Sequence, residues 1–180
     1  MIIATTNTVK IHDYSTWFAK YYPEIQPIKT FADLRAEGIV VKDVPETGAT
    51  YLENATLKAD AIASTCDDDS GIEIDALGGA PGIYSARYTD DLAHGRKRTR
   101  EEVGIDNMTR VLTRLQGVPS YERTATYKSA VIIIPPAPHK DPIILEGHVH
   151  GTIATKIRRS KRLWAYDAIF IPDGCTKTMD

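Results

Sequence analysis

TYLENATLKADAIASTCDDDSGIEIDAL, residues 50–77, passes from one hydrophobic period to another. In its first half Leu52, Ala55, Ala59 and Ile62 recur at spacings of three and four, the apolar stripe of an amphipathic helix. Few residues in TYLENATLKADAIAST oppose a helix, and Thr50 suits its N-cap. In its last part, GIEIDAL alternates Ile72, Ile74 and Ala76 with Glu73 and Asp75, the period of a half-buried strand. Between the two, CDDDSG (residues 66–71) sets three aspartates side by side and reads as an acidic turn, since Ser-Gly after Asp is ordinary turn chemistry.

The flanking sequence repeats this interleaving. MIIATT reads as a short buried strand, and VKIHDYSTWFAKYY as a helix through Ile11, Tyr14, Phe18 and Tyr21. EIQPIKTF and GIVVKDV read as strands around a short helical FADLRAE. Downstream, GGAPGIYS is loop and DNMTRVLTRL is a helix through Met108, Val111, Leu112 and Leu115. TYKSAVIII and PIILEGHV read as two strands of a long hairpin, because the prolines of PPAPHKD block strand continuation. Strands and helices alternating in this way, with a hairpin among them, predict an α/β fold around a mixed sheet.

A chain of 180 residues is about one domain, spanning residues 1–180 with neither repeat nor linker. The apolar fraction of 42% and the charged fraction of 26% are those of an ordinary globular protein, and the formal charge of −2 points to neither nucleic acid nor membrane. MIIATTNTVK lacks the pattern of an export signal, and no stretch approaches the roughly 20 apolar residues that span a bilayer. Cys66 and Cys175, far apart in sequence, suggest free thiols and a cytoplasmic setting.

Three segments carry chemistry. TTNTVK, residues 5–10, lies where a strand gives way to a helix, so unpaired amides and Lys10 offer a place for phosphate; the alternative is a solvated helix start. Glu53 flanks the apolar stripe of its helix, and Lys58 follows about one and a half turns later. Asp67, Asp68 and Asp69 crowd like charges that a cation or strong donors must offset. Together they describe a polyphosphate cradle with hard oxygen ligands for Mg²⁺. The basic runs GRKRTR (95–100) and KIRRSKR (156–162) read as solvated loops, with steering of an anionic substrate as the alternative. Glu146, His148 and His150 alternate along one strand face and read as exposed side chains, since two histidines there need no metal, with a transition-metal site as the alternative. Cys66 beside three carboxylates is a poor nucleophile.

The order of these segments resembles the inosine triphosphate pyrophosphatase family. The matching motifs are TTNTVK, ETGATYLENATLKADA (46–61), DDSGIEIDALGGAPGIYSARY (68–88), DNMTRVLTRL, RTATY (123–127), EGHVHGTI (146–153) and WAYDAIF (164–170). The resemblance implies an elongated α/β fold of two lobes around a long mixed sheet, a central nucleotide cleft and a homodimer. It also implies Mg²⁺-dependent hydrolysis of ITP, dITP or XTP to monophosphate and pyrophosphate. By the same resemblance Asp69 is the proton acceptor and a metal ligand, with Glu53 and Asp68 as the other metal carboxylates. Thr5, Thr6, Asn7, Lys10, Lys58 and Ser70 would contact substrate, and Trp164, Ala165, Tyr166 and Asp167 would form the base pocket.

The sequence departs from the family pattern in two places. Ala165 and Ala168 stand where the family has glycine and proline, which implies a reshaped base pocket. After GCTKTMD there is no counterpart of the family's helix with its lysine and Ser-His-Arg motif, which implies an incomplete specificity half. The alternative function is accordingly a nucleotide-binding protein of the same fold with lost or reduced turnover.

Overall fold

The computed structural model describes residues 1–3, 5, 8–23, 27–40, 44–60, 65–93, 95–134, 141–158 and 166–179. In chain order its elements are β1 (Ile2–Ile3), α1 (Thr8–Tyr21), β2 (Lys29–Thr30), α2 (Phe31–Ala36), α3 (Tyr51–Asp60), β3 (Thr65–Ile74), α4 (Arg100–Arg114), β4 (Thr124–Ile133), β5 (Ile143–Ile153) and β6 (Phe170–Pro172). The strands form one sheet in the order β2-β1-β3-β4-β5-β6. β1 runs parallel to β2 and β3, whereas β5 and β6 are antiparallel, so the sheet is mixed and the fold is α/β. The expected long hairpin strands are β4 and β5, which are sheet neighbours. No described helix is long and apolar enough to cross a membrane. The chain divides into two compact units, Met1–Asp69 with Ala130–Glu146, and Ser70–Ser129 with Gly147–Asp180.

In the first unit α3 buries Tyr51, Asn54, Ala55 and Ala59. Ala55 and Ala59 pack on Ile132 and Ile134, so two small side chains let the helix approach β4 closely. α1 buries Phe18, while Tyr21 at the end of the expected stripe stays exposed. α2 opens on a reciprocal cap between Thr30 and Asp33. The strand expected over GIVVKDV is absent from its described residues. Gly38, at φ 81°, sends its N–H to the Arg35 carbonyl, and Ile39 sends its own to Leu34. This left-handed exit from α2 leads into an exposed Val40.

The acidic turn is also overturned. CDDDSG lies inside β3, which continues through Ser70 and Gly71 to Ile74. β3 pairs with β1 at Thr65 and Cys66 and has β4 on its other edge, and this sheet pairing overrides the local turn preference of Asp, Ser and Gly.

In the second unit Met108 and Val111 of α4 and its C-cap residue Leu115 pack on Ile72, Ile74, Ala125, Ile153, Tyr166 and Phe170. Each such side chain contributes about 1.5–3 kcal/mol by leaving water. α4 begins at Arg100, ahead of the expected start at Asp106, because Thr99 and Glu102 form a capping box. Arg98 consequently sits just before the helix rather than in a solvated loop. Its guanidinium donates to the Thr89 carbonyl at 3.0 Å and to Asp106 at 2.9 Å, with 5% of the side chain exposed.

Candidate functional site

β3 carries the cluster and two helices complete it. Because alternate residues of a strand face opposite sides, Asp67 and Asp69 share one face and Asp68 the other. α3 serves the first face. Its Asn54 donates from Nδ2 to Asp69 Oδ2 at 3.3 Å, and the Lys58 ammonium lies 3.5 Å from Asp67 Oδ2. α1 serves the second face, where Lys10 pairs with Asp68 Oδ2. Lys58 also donates to the Asp68 carbonyl at 2.8 Å and reaches Glu46 Oε1 at 3.3 Å.

All three aspartates are buried, with 2%, 3% and 8% exposure in chain order. Among the described residues, both Asp67 carboxylate oxygens and Asp68 Oδ1 have no partner in hydrogen-bonding geometry. Burial pushes the Asp67 carboxyl up to about 7, against the pull of Lys58 and the neighbouring amide. Burial also raises Asp69, opposed by Lys58 and by the Asn54 hydrogen bond. Burial would lower the Lys58 ammonium, but Asp67, Glu46, Asp69 and Asp68 outweigh it and hold Lys58 above its ordinary value. Four carboxylates thus face two ammonium groups, and buried oxygens remain unsatisfied. Such a surplus of carboxylate is what a hard cation or further donors could offset. Within this cluster, burial and then Asp68 and Asp67 push the Cys66 thiol up to about 12, which keeps it protonated and inert, as expected from the sequence.

Glu53 is exposed on α3 and, among the described residues, its hydrogen bonds run to its own helix start rather than to the aspartates. Its Oε2 accepts from the amides of Ala49 at 2.6 Å and Thr50 at 3.2 Å, while its own amide donates to Thr50 Oγ1 at 3.1 Å. It is therefore the carboxylate of a capping box. Gly48 packs onto the same turn, sending its N–H to Asn54 Oδ1 at 2.8 Å. A Cβ at Gly48 would stand 2.7 Å from Glu53 Cβ, so only glycine allows this approach. Among the described residues no group of three or more His, Cys, Asp or Glu side chains is already drawn together as a metal cage.

The other expected site residues divide. Thr5 is half-buried after β1, and Ser70 is half-buried in β3, within the second unit. Thr6, Asn7, Trp164 and Ala165 lie outside the described residues. Tyr166 is 1% exposed and its hydroxyl donates to the Ser85 carbonyl at 2.8 Å, so its ring is a core member of the second unit. Asp167 lies beside the Tyr127 hydroxyl, which burial and then the Asp167 charge hold well above its usual value. Sequence reasoning missed Asn54 and Glu46, although a polar residue on the buried side of a helix was signal enough for Asn54.

A Ham1 family model matches residues 1–180. The dITP/XTP pyrophosphatase of Bacillus subtilis is 34% identical, with 99% of this chain and 83% of that protein covered. The dITP/XTP pyrophosphatase of Geobacillus kaustophilus is 33% identical over 99% of this chain and 81% of its own length. Among solved structures, the Staphylococcus aureus Ham1 protein gives a TM-score of 0.75 at 31% identity, covering 99% of this chain and 83% of that one. A HAM1 protein from Coxiella burnetii gives 0.76 at 26% identity, covering 99% and 84%.

Proposed function

The chain belongs to the Ham1 family, and from that premise we propose that it hydrolyses non-standard purine nucleoside triphosphates (dITP, XTP and ITP) to nucleoside monophosphate and pyrophosphate. The observation that carries this reading is the buried Asp67–Asp69 run, whose carboxylate oxygens outnumber the ammonium groups of Lys10 and Lys58 around them.

The residues present fit a divalent cation, since Asp68 Oδ1 is buried without a partner and the cluster carries surplus negative charge. Asp69 and Glu53, served by α3, would hold Mg²⁺, with Asp68 supporting them from the other face of β3. When bound, the ion offsets triphosphate charge and makes the attacking water more acidic. Asp69 accepts the proton of that water; its carboxyl is already raised by burial, the direction that suits a base working near neutrality. As the water oxygen bonds to phosphorus, the α–β anhydride bond breaks and pyrophosphate leaves. Asn54 fixes the Asp69 carboxylate during this transfer, and Lys10 and Lys58 steady the phosphates. Asp167 and the backbone around Tyr166 take the base in this reading. The protein acts as a homodimer, which sedimentation equilibrium checks.

The test is pyrophosphate release from dITP, XTP, ITP, dATP and GTP, with Mg²⁺ and with a chelator. Release from the first three that the chelator stops is the expected result. Binding of these nucleotides without release would instead make the protein a nucleotide-binding member of the family.

A further inference from the structure

His148 and His150 lie one residue apart on β5 and so project from the same face of the strand. Both are exposed, and both belong to the second unit. Their ring centres are 5.0 Å apart and the ring planes are inclined at 62°. A metal–nitrogen bond of about 2.0–2.1 Å puts a metal roughly 3.2 Å from each ring centre, and N–metal–N angles of about 90–110° then require centres roughly 4.5–5.2 Å apart. The observed separation falls in that interval.

A second observation comes from the neighbouring strand. Thr126 Oγ1 on β4 stands 3.1 Å from His150 Nδ1. With Nδ1–H donating to that hydroxyl, Nε2 is the nitrogen left for a ligand. A metal-binding histidine is commonly oriented in this way, by a partner on its other nitrogen.

We propose that His148 and His150 form a bidentate surface site for a late first-row divalent cation, with Thr126 as a positioning residue. Imidazole favours Cu²⁺, Ni²⁺ and Zn²⁺, with Cu²⁺ the tightest and Mg²⁺ not bound. Two protein ligands leave the remaining coordination positions to water. The site differs in kind from the aspartate cluster, which offers hard oxygens only, and it does not depend on the pyrophosphatase reading.

The untagged full chain is titrated with Cu²⁺ and followed by electron paramagnetic resonance. One tight Cu²⁺ per chain, with splitting from two nitrogens, is expected. His148→Asn and His150→Asn should each weaken binding by about tenfold or more, at least the cost of losing an outer-shell partner. Thr126→Val should weaken it less. Millimolar Mg²⁺ should leave the copper in place, and Mg²⁺-dependent pyrophosphate release should be unchanged in all three variants. The chain has five histidines, so His12, His94 and His139 remain as internal controls in the doubly substituted protein. Copper bound by that double variant as tightly as by the parent would overturn the proposal. So would displacement of copper by Mg²⁺, which would locate it among the aspartates.

Discussion

Replacing Asn54 by aspartate tests the electrostatics of the cluster most directly. Asn54 is fully buried; its amide oxygen accepts from Gly48 at 2.8 Å and its amide nitrogen donates to Asp69 at 3.3 Å. Asn54→Asp keeps the shape and the Gly48 bond, and turns the donor into a second carboxylate oxygen at the same distance from Asp69. Two unit charges 3.3 Å apart repel by about 5 kcal/mol at an effective dielectric of about 20. The pair escapes by sharing a proton, so one of the two carboxyls is raised in the folded state above its unfolded value of about 4. A raised carboxyl stabilises the fold fully below its unfolded value, and that contribution is lost as pH rises through the folded one. The variant should therefore lose stability relative to the parent by about 1.4 kcal/mol per pH unit above pH 4. The loss should level off near the Coulomb limit. Urea denaturation of both proteins at intervals between pH 4.5 and pH 8 measures this difference. A deficit equal at both ends of the range would show that Asp69 and residue 54 are not electrostatically coupled, and would refute the arrangement described.

Three further outcomes are expected. Asp69→Asn should lower pyrophosphate release by about 10²–10⁴-fold at saturating Mg²⁺ with an unchanged circular dichroism spectrum, the usual cost of losing a general base; near-parental turnover would remove Asp69 from the chemistry. Gly151→Ala would bring a Cβ within 2.2 Å of the Ile171 carbonyl oxygen, so the β5–β6 pairing must shift and the unfolding free energy from urea denaturation should fall by about 1–3 kcal/mol or more. Arg98→Ala should cost about 2–4 kcal/mol in thermal unfolding because it strips the Thr89 carbonyl and Asp106 of a buried donor, whereas Arg96→Ala, at an exposed pair, should stay within about 0.5 kcal/mol.

The helices were the legible part of this fold. α3 and α4 announce themselves by period, since their apolar residues return at three and four. β3 was half legible: Ile72 and Ile74 gave its end, but the aspartates before them carry turn-forming side chains, and nothing local reveals that the sheet holds them extended. Two capping boxes are present in the sequence as Thr-x-x-Glu: Thr50 with Glu53, and Thr99 with Glu102, the second of which sets the start of α4 and takes Arg98 out of the solvated loop. The chemistry of the site was legible as residue types, while its geometry was not. No rule of spacing says that Lys58 serves Asp67 and the Asp68 carbonyl while Lys10 serves the opposite face.

The amides of Ala49 and Thr50 both end on one oxygen of Glu53. A ligand that recruits this oxygen must share it with two N–H groups or release them, so the first turn of α3 acts as a built-in reporter. Nitrogen-15 chemical shifts and hydrogen exchange at those two positions would register engagement of Glu53 without altering a single residue of the cluster. The stability of a helix start and the occupancy of a ligand site would then be read from the same pair of protons.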